Sequence, residues 1–285
     1  MKNLYKMELD GNCTTLEPGD TEGIRIQNPF STRSFYNPMI DDLIRHNHTV
    51  SALPYDFRNL NNEVMVMFRD YLEQQPAPVI VVCHSLGGLV FHDFITRHVP
   101  PSWARERVLK IYWISVPFAG CPESVYSVLT NTVFKLPPML TTLRYFDGFY
   151  ATFPFQPDQP VISRGGRMYT PMDYEAMLTE IGDEACLKRW FRISTNLNAR
   201  RRITPPVPST VVYTGDVSTR LVIDMDDHKK HVYGSGDGLV PIHSLRFPFQ
   251  WWDARMVSEY HVPGSEHTRI CTDHRLLSML NTRSQ

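Results

Sequence analysis

Residues 79–94, VIVVCHSLGGLVFHDF, constrain the fold more tightly than any other stretch. Four consecutive apolar β-formers, Val79 to Val82, run into His84-Ser85-Leu86-Gly87-Gly88, and an amphipathic helical pattern begins at once on the far side. The lack of alternation in the first four suits a buried parallel strand covered on both faces. The helical pattern continues to about His98, where Pro100 and Pro101 end it, and VLKIYWISVP, residues 108–117, supplies the next strand. Strand, helix and strand in this order predict an α/β fold with a central, mostly parallel sheet. Upstream lie a helical pattern from Tyr36 to His46, an extended piece TVSALPYDFR, and a helix from about Asn62 to Gln75 closed by Pro76 and Pro78.

From Phe118 to about Pro208 the character changes. Prolines become frequent, aromatics cluster in TLRYFDGFYATFPF, and helical pieces are short. One reading is an irregular set of connecting helices; the sharper one is a cap or lid inserted at about 118–208 over an apolar cleft. On the second reading Phe118, Tyr145, Phe149 and Phe153 are candidates to line the substrate path or the lid's apolar rim, while Tyr145, Phe146, Phe149, Tyr150, Phe153 and Phe155 read equally as packing within the cap. Strand patterns return at STVVYTGD, residues 209–216, and TRLVIDM, residues 219–225. The last segment, VSEYHVPGSEHTRICTDHRLLSMLN, reads as a strand, a loop at Pro263 to His267, and a helix from about Thr272. With 285 residues and 42% hydrophobic content, the chain can bury the core of one α/β domain spanning residues 1–285.

Charge and cysteine content narrow the chemistry. A formal net charge of −1 without a basic run gives no electrostatic footprint for nucleic acid. Five scattered cysteines with no CxxC pair argue against zinc and against a dense disulfide framework, leaving one or two bridges open. Asp224, Asp226, Asp227, His228 and His231 lie close in sequence, but beside two lysines they read better as a solvated loop than as converging metal ligands. Arg200-Arg201-Arg202 likewise reads as a solvated loop, with contact to lipid headgroups as the alternative. The opening MKNLYKMELDG has no apolar leader pattern, and no window approaches the roughly 20 apolar residues of a membrane span. Sequons at Asn12 and Asn47 matter only in a secretory compartment.

Ser85 is the candidate nucleophile. A hydroxyl attacks only if it is exposed at a sharp turn, has a base within hydrogen-bond reach, and faces donors for the oxyanion. The strand-to-helix turn of G-x-S-x-G provides the first of these, and here it reads C-H-S-L-G, with Cys83 in place of the first glycine. His84 points away in such an elbow and is a wall residue rather than the base. The acid and then the histidine should follow on loops after late strands. YGSGDGLVP puts Asp237 between glycines in a turn, with Asp216 as its rival; VPGSEHTRI puts His267 in a loop, preferred to His261 in a strand pattern and His274 in a helix.

Taken together, GIRIQNPF, ALPYDFR, HSLGG, ISVPFAG, YTPMDYEAML, GDGLVP and GSEHTRI occur in the order of the lecithin:cholesterol acyltransferase-like family of lipases and acyltransferases, which the chain resembles over nearly its whole length. The resemblance implies an α/β-hydrolase fold, a Ser85, Asp237 and His267 triad, no cofactor and no metal. It further implies an acyl-serine intermediate handed to water or to a lipid alcohol, with a glycerophospholipid or acylglycerol at a membrane or lipoprotein surface as substrate. The backbone N–H of Leu86 is one expected oxyanion donor. The family's first core strand, and the Pro-Gly-rich loop that carries the second donor, precede the point matched by residue 1, so that donor is unassigned. Localisation is not readable from the residues; the resemblance suggests a secretory, lysosomal or membrane-associated setting. The rival readings are an esterase for soluble esters and a lipid-binding protein without turnover.

Overall fold

The computed structural model describes Gly19, residues 36–132 and residues 143–282. GIRIQNPF, Cys13 and the sequon at Asn12 lie outside the described residues. In chain order the elements are α1 (Asn37–Arg45), α2 (Asn62–Glu73), β1 (Val79–His84), α3 (Leu86–Asp93) continued by a π-helical turn at Phe94–His98, α4 (Pro101–Arg107), β2 (Val108–Ile114), α5 (Pro122–Thr130), α6 (Asp147–Ala151), β3 (Ile162–Arg164), β4 (Arg167–Tyr169), α7 (Tyr174–Glu180), α8 (Glu184–Leu197), β5 (Ser209–Tyr213), β6 (Val217–Asp224), β7 (Val232–Gly236), α9 (Ile242–Leu245), α10 (Pro248–Trp251), β8 (Val257–His261) and α11 (His274–Thr282). None of the described helices is long and apolar enough to cross a membrane.

Two compact units emerge from these elements. The smaller takes residues 1–56, 61–75 and 268–285. Its α2 starts where the Asn61 side chain accepts hydrogen bonds from Glu63 and Val64 N–H, satisfying two of the donors that a helix start leaves open. Val64, Met65, Phe68 and Leu72 then form the buried stripe. α1 buries Met39 and Ile40, α11 buries Leu276, Met279 and Leu280, and Asn281 Nδ2 ties the two helices by donating to Asp42 Oδ2 at 2.8 Å.

The larger unit takes residues 57–60 and 76–267 and holds a parallel sheet in the order β1-β2-β5-β8. β2 and β5 are buried along most or all of their length, and Tyr112, Trp113 and Ile114 are fully enclosed. β1 differs from the expectation of a strand covered on both faces: only Cys83 is buried, because β2 is the one described strand beside it. α3 packs close to the end of β2, where a Cβ on Gly88 would collide with Val116. A second sheet, β4-β3-β6-β7, takes TRLVIDM away from the parallel sheet; β6 pairs with β3 in parallel and with β7 antiparallel.

Several aromatics of segment 118–208 pack inward. Phe118 and Phe153, expected at the lid or substrate path, are fully buried. Phe118 meets Trp113, His92 and Trp252 in a ring cluster, and Phe153 stacks among Tyr150 and Tyr174. Phe149 is half-buried against the same apolar cluster and lies over Phe146, while Tyr145 is exposed with its hydroxyl on Asp183. Arg201 also departs from the solvated-loop reading. Its guanidinium is buried, donates to the Phe118 and Ala151 carbonyls, and lies 5.0 Å from the centroid of Phe155; burial lowers its pKa to about 9. The described cysteines, Cys83, Cys121, Cys186 and Cys271, are all buried thiols with no bridge between them.

Candidate active site

β1 delivers Ser85 into a strained turn. Its backbone lies at φ 53° and ψ −132°, a region costly for any residue with a Cβ, by about 1–3 kcal/mol. Two hydrogen bonds hold it there: Ser85 N–H donates to Ile114 O of the neighbouring strand at 3.0 Å, and Gly88 N–H donates back to Ser85 O at 2.9 Å. Leu86 is the first residue of α3, so its N–H has no acceptor within the helix and faces outward from the helix start. The Leu86 side chain packs where a Cβ on Gly148 would strike it. Gly148 is fixed in turn by donating its N–H to Phe57 O, and Asp147 accepts from Leu60 N–H at 2.8 Å and from Arg192 Nη2 at 2.6 Å. Phe57 thus reaches the Ser85 turn through α6.

The carboxylate and the imidazole come from two loops. Asp237 follows β7, where a Cβ on Gly236 would meet Thr219 Oγ1 and Val240 O, and where Gly238 takes φ +90°. Asp237 Oδ1 accepts from the N–H groups of Leu239 at 3.0 Å and Val240 at 2.7 Å. The loop after β8 is tied down by Asp216, which accepts from Gly264 N–H at 2.9 Å, and by Thr214, whose hydroxyl accepts from Ser265 N–H at 3.2 Å. Asp216, the rival for the acid, therefore serves as an anchor of the histidine loop.

These loops bring His267 to both partners. Its Nδ1–H donates to Asp237 Oδ2 at 2.7 Å, and Ser85 Oγ lies 2.9 Å from its Nε2. The backbone N–H of His267 also donates to Asp237 O at 2.8 Å. Asp237 is fully buried and His267 is 5% exposed. Burial by itself pushes the Asp237 carboxyl up, but the charge and hydrogen bond of His267 and the amides of Val240 and Leu239 outweigh it and hold the group below the usual carboxylate range. His261, the alternative base, sits 3.9 Å from Asp216, and His274 is exposed on α11.

One contact was not foreseen from sequence. His84, read as a wall residue pointing away, turns to the histidine loop: its Nε2 lies 3.0 Å from His267 O and the two ring centroids are 5.1 Å apart. Strand parity gives no hint of this, because the partner loop lies 183 positions away in sequence. Among the described residues no group of three metal-ligating side chains converges. In the segment read as a possible metal loop, Asp224 Oδ1 instead accepts from the N–H groups of Asp226 and Asp227, and Asp224 N–H donates to His231 Nδ1.

The lecithin:cholesterol acyltransferase family model matches residues 32–156, a segment that includes the PYDFR piece and the serine turn. Over that segment the chain is similar to the lecithin:cholesterol acyltransferase family. Among curated relatives, the rat (Rattus norvegicus) lysosomal phospholipase A and acyltransferase is 22% identical over 92% of this chain and 70% of its own length. The Arabidopsis thaliana lecithin-cholesterol acyltransferase-like 1 is 23% identical over 80% of this chain and 58% of its own. Among solved structures, the Tle4–Tli4 complex superposes with a TM-score of 0.56 at 13% identity, covering 91% of this chain and 72% of that one. The fold, a mostly parallel central sheet with flanking helices, is that of the α/β-hydrolases.

Proposed function

We propose that the protein is a serine-dependent lipid acyl hydrolase or O-acyltransferase in which Ser85 is the nucleophile, His267 the general base and Asp237 the residue that orients it. The observation that carries the proposal is the chain of two hydrogen bonds, Ser85 Oγ to His267 Nε2 at 2.9 Å and His267 Nδ1 to Asp237 at 2.7 Å, at the end of a strained strand-to-helix turn. In the first step His267 Nε2 takes the Ser85 proton as Oγ bonds to the ester carbonyl carbon. The developing oxyanion lies at the Leu86 N–H, and the ester bond then breaks as His267 returns the proton to the departing alcohol. His267 then deprotonates a second acceptor, water or a lipid alcohol, that attacks the same carbon, and the bond from that carbon to Ser85 Oγ breaks as His267 returns the proton to Oγ, freeing the acyl product.

A lipid substrate is favoured because the family match spans Ser85 and its turn, and because a phospholipase A and acyltransferase relative aligns with 92% of the chain. We place that substrate as a glycerophospholipid or acylglycerol presented at a membrane or lipoprotein surface. The cap at about 118–208 is proposed to cover the acyl chain, with Tyr145 and Phe149 among its accessible aromatics. The test is acyl release from phosphatidylcholine vesicles compared with a short soluble ester below its micellar concentration, each with Ser85→Ala as control. Turnover should rise at the vesicle surface and vanish in the variant. Equal turnover on the dispersed ester would replace the lipid reading with that of a soluble-ester hydrolase.

A further inference from the structure

We propose that His84 is a positioning residue for the general base, locking the backbone of His267 to the nucleophile turn; the inference rests on the triad reading above. His84 Nε2 lies 3.0 Å from the carbonyl oxygen of His267, and that acceptor carries no proton, so the proton of the hydrogen bond sits on Nε2 of His84. The residue is thereby assigned one tautomer. His84 and Ser85 are consecutive, so one turn of chain holds His267 at two points: Ser85 through the ring nitrogen and His84 through the main-chain oxygen. On its other side the His267 main chain is held by its N–H on Asp237 O. With both polar groups of its backbone fixed, the imidazole keeps only its side-chain torsions, and its hydrogen bond to Asp237 restrains those.

Two features suit His84 to this task. The neighbouring imidazole must become cationic in each turnover, and a second cation 5.1 Å away would oppose that. Burial first, and the His267 charge second, lower the His84 pKa to about 3, against the opposing effects of its hydrogen bond to His267 and of Asp237. His84 therefore stays a neutral donor while its partner cycles. The second feature is geometric: the contact spans 183 positions in sequence and joins the end of β1 directly to the loop after β8, the two pieces of chain that carry nucleophile and base.

The test compares His84→Leu, which removes the donor, with His84→Gln, whose amide nitrogen can occupy the place of Nε2. For His84→Leu, kcat should fall by about 10- to 100-fold, the size expected for a base displaced by a fraction of an ångström to an ångström, with KM within about two-fold and Tm little changed. His84→Gln should recover kcat to within about five-fold of the wild type. The inference is overturned if His84→Leu keeps wild-type kcat, if His84→Gln loses as much as His84→Leu, or if the loss in both follows a drop in Tm. Wild-type and Ser85→Ala proteins in the same assay separate this from the parent reading: equal activity of those two would reject the triad itself, whereas a Ser85-dependent wild type with an unaffected His84→Leu would reject only the role of His84.

Discussion

Asp237 shows how a single side chain is made useful by what surrounds it. A carboxylate with no exposed surface would ordinarily be driven to its neutral form, yet two backbone amides and the His267 imidazole share its charge. Asp237→Asn keeps the shape but can present an N–H where an acceptor is needed, favouring the wrong tautomer of His267. Turnover is expected to fall by about 10⁴-fold with KM little changed, read by steady-state kinetics on the lipid substrate. A loss smaller than ten-fold would assign the orienting role elsewhere. Ser85, Asp237 and His267 were legible in the sequence because each sits in a short string with small or turn-forming neighbours. The contact of His84 was not, since it joins the end of β1 to a loop 183 positions away that no local pattern records.

At the level of elements, the segment from β1 through α3 to β2 was legible because its signals are local: β-branched residues, a small-residue turn, then helical periodicity. The second sheet was not, because β3 and β4 have only three residues each and β6 joins them across a separation of about 60 positions that no periodicity records. The aromatics of 142–155 left two readings open, since an apolar run reads alike whether it lines a rim or packs inside a cap, and here Phe146, Tyr150 and Phe153 are buried. The close seat of α3 on the end of β2 gives an element-scale prediction. Gly88→Ala should destabilise the protein by about 1–3 kcal/mol, because the added Cβ meets both methyl carbons of Val116 and this overpacking exceeds the gain in helix propensity. Val116→Ala in the same chain should return part of that loss, so urea unfolding of the double variant should show less destabilisation than the two single changes summed. Strict additivity would mean that α3 does not depend on this contact.

For the whole molecule, stability and pH are linked through histidines that the fold holds neutral. His92 is 2% exposed, lies flat on Trp252 at 5.3 Å and sits 2.9 Å from Ile203 O; burial lowers its pKa from 6.5 to about 4. Between those two values the unfolded chain binds a proton that the folded chain refuses. The contribution of His92 is therefore complete above pH 6.5 and is lost progressively as pH falls from there through about 4, while Asp93 and Asp237, whose carboxyls start from 3.8 and are lowered further, act only below that window. Thermal unfolding should show Tm falling between pH 6.5 and 4, and His92→Gln, which keeps a donor for Ile203 O but does not titrate, should flatten that fall. An unchanged slope would remove His92 from the account.

The central claim is that this fold exists to make one hydroxyl nucleophilic, and covalent labelling addresses it most directly. The folded protein is treated at neutral pH with a fluorophosphonate that reacts only with an activated serine, and the adduct is located by peptide mass spectrometry. A single adduct on Ser85, lost in Ser85→Ala and slowed in His267→Ala, is the predicted result. A folded protein that stays unlabelled, or that carries the adduct on another residue while Ser85 stays free, would contradict it.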